Sequence, residues 1–185
     1  MKPLIIGIAG GTGSGKSTFS GILKKQLADK KVSVINMDKY YKNPVPKMVS
    51  PITQSIDDDW NSPDSVDHEK LLETLQSLKA ESAYDIIIIE GILLFCYNEI
   101  RELLDLKIFI ELDADERMHR RIKRNTNNLT ENVEYHVDYY LHYAKHQEQK
   151  FALPSKIYAD IIVNGNNLDG KALDVLFAWI RLNAL

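Results

Sequence analysis

The chain has 185 residues, 44% of them hydrophobic, which is enough for one domain (1–185) with a sizeable core. A formal net charge of −3 leaves general nucleic-acid binding without its main driving term, and a single cysteine, Cys96, excludes an internal disulfide framework and suits a reducing cytoplasm. The longest apolar run, Ile86 to Phe95, is interrupted by Glu90 and Gly91 and is too short to span a bilayer, so a soluble protein with no membrane segment is expected.

Leu4 to Ala9 reads as a buried parallel strand. It runs into Gly10-Gly11-Thr12-Gly13-Ser14-Gly15-Lys16-Ser17-Thr18, which fits the pattern G-x-x-x-x-G-K-[ST]. Four glycines in six positions let the backbone turn tightly and aim several N–H groups inward, a concavity suited to a polyphosphate. Lys16 is placed to reach the β- and γ-phosphates, Ser17 offers a hydroxyl to Mg²⁺, and the helix that begins here turns its positive end toward the anion. Phe19, Ile22, Leu23 and Leu27 recur at helical spacing behind the loop. A flexible Gly/Ser linker, the alternative, explains neither the strand in front nor the helix behind.

Lys31 to Met37 reads as a second strand with Asp38 at its carboxyl end, the end at which open α/β sheets bind ligands. The next stretch, about 39–64, contains Pro44, Pro46, Pro51 and Pro63 and has no convincing periodicity; connections of this length are usually functional or mobile. Pro63 to Ser65 offers a helix start, and Leu71, Leu72, Leu75 and Leu78 form its apolar face. Tyr84 to Gly91, with four consecutive Ile, reads as a strand buried on both faces, with Glu90 at its exit. A short helix near Asn98 to Leu104, a strand Leu106 to Glu111 and a helix Asp113 to Arg124 follow. A longer helix from Thr130 to Phe151, a strand Ala159 to Val163 and a final helix Leu168 to Leu182 complete the chain. Strands alternating with helices predict βαβ units and a parallel sheet.

Phosphoryl transfer needs cations to offset charge on the migrating group, a metal, and a group that removes or orients the acceptor's proton. Asp38, at the mouth of the long loop, suits the base, and Glu90 suits the Mg²⁺ shell; the alternative for each is a carboxylate that caps the next turn. Arg117, Arg120, Arg121 and Arg124 share one helical stripe. Asp113 and Glu116 stand four residues ahead of Arg117 and Arg120, as surface ion pairs would, whereas Arg121 and Arg124 have only arginine there and so read as phosphate ligands. Tyr40, Tyr41 and Trp60 flank the long loop, able to stack on a planar acceptor or to pack the loop onto the body.

Together with Met37-Asp38-Lys39-Tyr40-Tyr41, Trp60-Asn61-Ser62-Pro63-Asp64, Glu90-Gly91-Ile92-Leu93, Asp113 through Arg124, and Leu153 to Asp160, the glycine-rich loop resembles the uridine kinase family of P-loop kinases, with nicotinamide riboside kinases as near relatives. The resemblance implies a three-layer α/β/α P-loop NTPase fold with a five-stranded parallel sheet in the order 2-3-1-4-5, a helical lid at about 113–130, ATP and Mg²⁺ as cosubstrates, and transfer to a nucleoside hydroxyl. The site expected from residues and resemblance together has Asp38, Lys16 and Arg121 as catalytic groups. Gly11 to Thr18, Arg120, Arg124 and Asn164 would hold ATP, Asp38, Tyr40, Tyr41, Trp60, Asn61 and Arg117 the acceptor, and Ser17 and Glu90 the metal. Two places depart from the family pattern. Asn61 stands where the family has an aspartate on the ribose hydroxyls, keeping hydrogen-bonding capacity but not charge, with Asp57, Asp58 or Asp59 as compensating carboxylates. Only Lys79 to Ala83 separates the second helix from the third strand, where uridine kinases carry a hairpin that contacts the pyrimidine. The reading from another class is a nucleotide-driven ATPase or switch acting on a partner protein.

Overall fold

A computed structural model describes residues 2–125, 133–168 and 170–184. Its centre is β1 (Leu4–Ala9), buried along its whole length, which opens through the glycine-rich loop into α1 (Lys16–Gln26). After β2 (Val32–Asn36) come a 3₁₀ turn (Met37–Tyr40), a hairpin of β3 (Lys47–Val49) and β4 (Ile56–Asp58), and α2 (His68–Glu81). β5 (Ile86–Glu90), α3 (Asn98–Arg101), β6 (Leu106–Glu111) and α4 (Ala114–Asn125) follow. A long helical stretch then continues unbroken through α5 (Val133–Tyr139), a π-helical segment (Tyr140–Ala144), α6 (Lys145–Gln147) and a second π-helical segment (Glu148–Ala152). β7 (Ile161–Asn164) and α7 (Lys171–Asn183) close the described chain. The expected start of the long helix at Thr130, and the lid residues 126–130, lie outside the described residues.

The main sheet has five strands, ordered β2-β5-β1-β6-β7 and parallel throughout. Counted within that sheet the order is 2-3-1-4-5; in whole-chain numbering it differs from the expected one, because the hairpin adds two strands between the second and third. Residues 39–64 were expected to be irregular, and this hairpin is the correction. Its strands pair over only three positions, Lys47 to Asp58, Met48 to Asp57 and Val49 to Ile56, too few for an alternation to register in the sequence.

Alternate side chains of the central strands go to opposite faces, as a pleated strand requires. Ile6, Ile8, Ile86 and Ile88 pack with Phe19 and Leu23 of α1 and Leu173 and Ile180 of α7, while Ile5, Ile87 and Ile89 pack with Leu71 and Leu75 of α2 and with Phe95. Burial on both faces is why the four-isoleucine run is continuously apolar. Tyr139, Tyr140 and Tyr143 form a third cluster with Met48 and Met118, so these tyrosines pack the hairpin and α4 against the long helix.

Candidate active site

Strand register brings the chemistry together. Glu90, last in β5, lies opposite Asn36 of β2 on one side and Ile8 of β1 on the other, so the exits of three strands share one edge. At the β1 exit the backbone takes positive φ at Gly10 (147°), Gly13 (79°) and Gly15 (106°), conformations that side-chain-bearing residues rarely adopt. The loop so formed folds over Lys16, whose Nζ donates to Gly11 O at 3.1 Å. Desolvation of this ammonium lowers its pKa to about 8, against the raising effect of the Glu90 and Asp38 charges.

Ser17 Oγ donates to Glu90 Oε2 at 2.9 Å. Glu90 is 4% exposed, and burial raises its pKa; the Ser17 hydrogen bond and the Lys16 charge act in the opposite sense. Asp38 is exposed in the 3₁₀ turn, its backbone N–H held by Asn36 Oδ1 at 2.7 Å. The preceding Met37 is buried against Gly91, where an added Cβ would lie 2.5 Å from Met37 Cβ. The absence of a side chain at 91 therefore lets the Met37-Asp38 turn sit down on the β5 exit.

These groups line a cleft of about 260 Å³. Its walls are Thr12, Gly13, Gly15, Lys16, Ser17 and Thr18 of the loop, Asn36 and Asp38, Glu90 to Ile92, and Arg120, Arg121 and Arg124 of α4. Three of the four expected arginines thus face the loop. Arg120 also donates to Asn166 Oδ1 at 2.6 Å and to Gly165 O at 3.1 Å, and desolvation lowers the pKa of Arg121, which stands 5.8 Å over the Tyr139 ring.

Arg117 is the correction. Expected on the acceptor, it is 3% exposed and makes a bidentate pair with Glu148, at 2.6 Å to Oε1 and 3.0 Å to Oε2. Its Nε donates to Leu112 O at 3.0 Å and Nη1 to Thr12 O at 3.3 Å, which leaves little donor capacity for a substrate. Nothing in the sequence marked Glu148, because its partner lies 31 residues away.

None of the remaining expected residues lines the cleft. Gly11 lies against the Arg117–Glu148 pair and Ser14 is buried within the loop, its Oγ without a hydrogen-bond partner among the described residues. Tyr41 meets Trp60 edge-on at 5.2 Å and donates to Trp60 O at 2.9 Å, so this pair braces the loop, while Tyr40 packs on the core. Asn61 is 7% exposed and donates its N–H to Asp59 Oδ1 at 3.1 Å. Asp59 is itself 4% exposed and accepts from Gln147 Nε2. Asn164 borders a separate depression with Glu111, Asp113 and Asn166, next to Gly165, whose Cβ position is filled by the backbone of Ser14. Asn36, which both lines the cleft and holds the Asp38 turn, was hidden in the sequence as an ordinary strand residue.

The site fits a polyphosphate with Mg²⁺. Its donors are loop amides, one ammonium and three guanidinium groups, and beside them stand hard oxygens of the kind that suits Mg²⁺, Ser17 Oγ and the Glu90 carboxylate. No group of three or more His, Cys, Asp or Glu that could hold a metal occurs among the described residues.

The sequence profile of the phosphoribulokinase/uridine kinase family matches residues 67–168, and that of zeta toxin matches residues 1–94. A uridine kinase of Clostridium botulinum is 33% identical over 202 residues, covering 97% of both chains. A chloroplastic uridine/cytidine kinase of Arabidopsis thaliana is 33% identical over 97% of this chain, which spans 41% of that relative's length. Phosphoribulokinase from Rhodobacter spheroides shares the fold, with a TM-score of 0.61 and 15% identity over 88% of this chain and 70% of that one. Near end-to-end similarity at this identity, on the P-loop sheet and cleft just described, means that the chain belongs to the phosphoribulokinase/uridine kinase family.

Proposed function

We propose that the chain is an ATP- and Mg²⁺-dependent kinase that transfers the γ-phosphate to a hydroxyl of a nucleoside-like acceptor. The observation that carries this reading is that Lys16, Ser17, Glu90 and Asp38 share one cleft with Arg120, Arg121 and Arg124. Loop amides and Lys16 bind the phosphates, Arg120 and Arg124 hold them from the α4 side, and Arg121 offsets charge on the migrating group. Ser17 and Glu90 would hold Mg²⁺, which would supply electrostatic stabilisation of the phosphate charge. Asp38 accepts the acceptor's hydroxyl proton as the new P–O bond forms and the bond to the β-phosphate's bridging oxygen breaks.

The acceptor lies on the Asp38 side, against the loop that carries Tyr40, Tyr41, Trp60 and Asn61, with buried Asp59 supplying the carboxylate that Asn61 lacks. Asn164 belongs to the base-binding side of ATP. Closure of the α4 lid over the nucleotide excludes water, which would otherwise compete as acceptor. The protein acts on small molecules in a reducing cytoplasm, where Cys96, its thiol pushed up to about 11 by burial, stays reduced.

Release of ADP with and without a panel of uridine, cytidine, nicotinamide riboside and simple alcohols tests this function. Turnover near zero until one acceptor is added, with a product heavier by one phosphate, is the expected result. Steady hydrolysis unaffected by every acceptor would sink the kinase reading.

A further inference from the structure

The long helical stretch holds both of the loops that a transfer reaction must bring into line. Gln147 and Glu148 are adjacent on it, and successive helical side chains diverge by about 100°, so one turn can reach two separate structures. Gln147 Nε2 donates to Asp59 Oδ2 of the loop after the hairpin, whose backbone is tied further by Asp59 N–H to Pro46 O at 2.8 Å and by Tyr139 Oη to Asp58 O at 2.9 Å. Glu148, one position further round the helix, grips Arg117 of α4. That guanidinium contacts Thr12 O, and together the pair fills the space over Gly11 where a Cβ would otherwise stand. The junction lies where α6 gives way to the second π-helical segment, a kind of local rearrangement that recurs at functional sites.

We infer that Gln147 and Glu148 are positioning residues that couple the phosphate loop to the acceptor loop: filling the first steadies the second. Both contacts involve side chains that are nearly fully buried, Asp59 at 4%, Glu148 at 3% and Arg117 at 3% exposed, so neither loop can shift without disturbing packed, hydrogen-bonded neighbours. The coupling is reciprocal by thermodynamic necessity, so an acceptor seated beside Asp59 tightens nucleotide in turn. This inference rests on the kinase reading in two respects, that a nucleotide occupies the glycine-rich loop and that the acceptor lies against the loop around Asp59.

Hydrogen exchange on the full chain, with a non-hydrolysable ATP analogue and Mg²⁺ as probe, tests it. In the wild-type chain, saturating analogue slows exchange in residues 11–17 and also in 47–61. In Gln147→Leu, which removes the donor at nearly constant volume, protection of 11–17 and analogue affinity persist, while protection of 47–61 falls about fivefold or more, the low end of measured couplings between sites. Gln147→Glu, which sets a second carboxylate against Asp59, loses it as well. A KM for acceptor that rises with a smaller change in KM for ATP accompanies the loss. Glu148→Gln keeps the hydrogen-bonding shape but weakens the pair, and reduces protection in both segments. Protection of 47–61 that is equal in wild type and Gln147→Leu, or absent from a wild type whose loop 11–17 is protected, overturns the coupling. Absence of protection at 11–17 itself overturns the nucleotide reading and the coupling with it.

Discussion

Arg117 and Glu148 meet as a buried, bidentate pair behind the phosphate loop, 2.6 Å and 3.0 Å between their nitrogens and oxygens. Removing one partner from such a pair leaves an uncompensated buried charge and costs about 3–5 kcal/mol, whereas replacing both with apolar side chains is often neutral. Glu148→Ala should therefore lower the denaturation midpoint sharply. Arg117→Met with Glu148→Leu should recover most of that loss in urea unfolding, and a double variant no more stable than Glu148→Ala would show that the pair's charges are not what the site depends on.

Asp38 is exposed at the cleft, and its turn is held by its backbone N–H on the Asn36 side chain and by the Met37 side chain packed against Gly91, with no hydrogen bond to its own carboxylate among the described residues. Asp38→Asn should leave folding and nucleotide affinity intact while turnover falls by about two to four orders of magnitude, the range for acid–base groups. Steady-state kinetics beside calorimetric binding of an ATP analogue measures both, and an unchanged rate removes Asp38 from the mechanism.

The Lys16 ammonium, desolvated in the loop, has its pKa lowered to about 8. Phosphates arriving beside it favour the charged form, so the pKa rises on binding. Above about pH 8 nucleotide binding should take up protons, approaching one per site near pH 9, with little uptake from this group near pH 6.5. Calorimetry in buffers of different ionisation enthalpy reads this directly, and uptake that is the same at both pH values would contradict it. In the ligand-free protein the sign is opposite to that of a cation gaining a partner. The folded chain gives up this proton at lower pH than the unfolded chain, so the group adds stability as pH rises from about 8 toward 10.5.

At Gly91 the backbone φ is ordinary, so the constraint there is steric, set by Met37. Gly91→Ala should cost about 1–3 kcal/mol through overpacking and should lower turnover by displacing the Met37-Asp38 turn. Met37→Ala in the same chain opens the space and should restore much of the rate, whereas a loss of activity that persists in the double variant would place the defect elsewhere.

Much of the fold and of the phosphate site was legible because it is encoded in short windows. Glycines where only positive φ closes the loop, a lysine and a serine at its end, and isoleucines continuous enough to be buried on both sides of a sheet all announce themselves within ten residues. Asp38 and Glu90 could be set at strand exits from the sequence, and parallel pairing then brought them to one edge.

What the amino-acid sequence determined by itself was therefore the parallel α/β architecture and the phosphate loop, since both follow from local backbone requirements and burial pattern. Only the tertiary structure decided which arginines face the cleft. Arg117 and Arg120 read alike by spacing, each with a carboxylate four residues ahead, yet Arg120 lines the cleft and Arg117 does not; the difference comes from Glu148, a carboxylate 31 residues beyond Arg117 along the chain. Gln147 and Asp59 likewise meet across 88 residues, a contact that packing creates and no periodicity records.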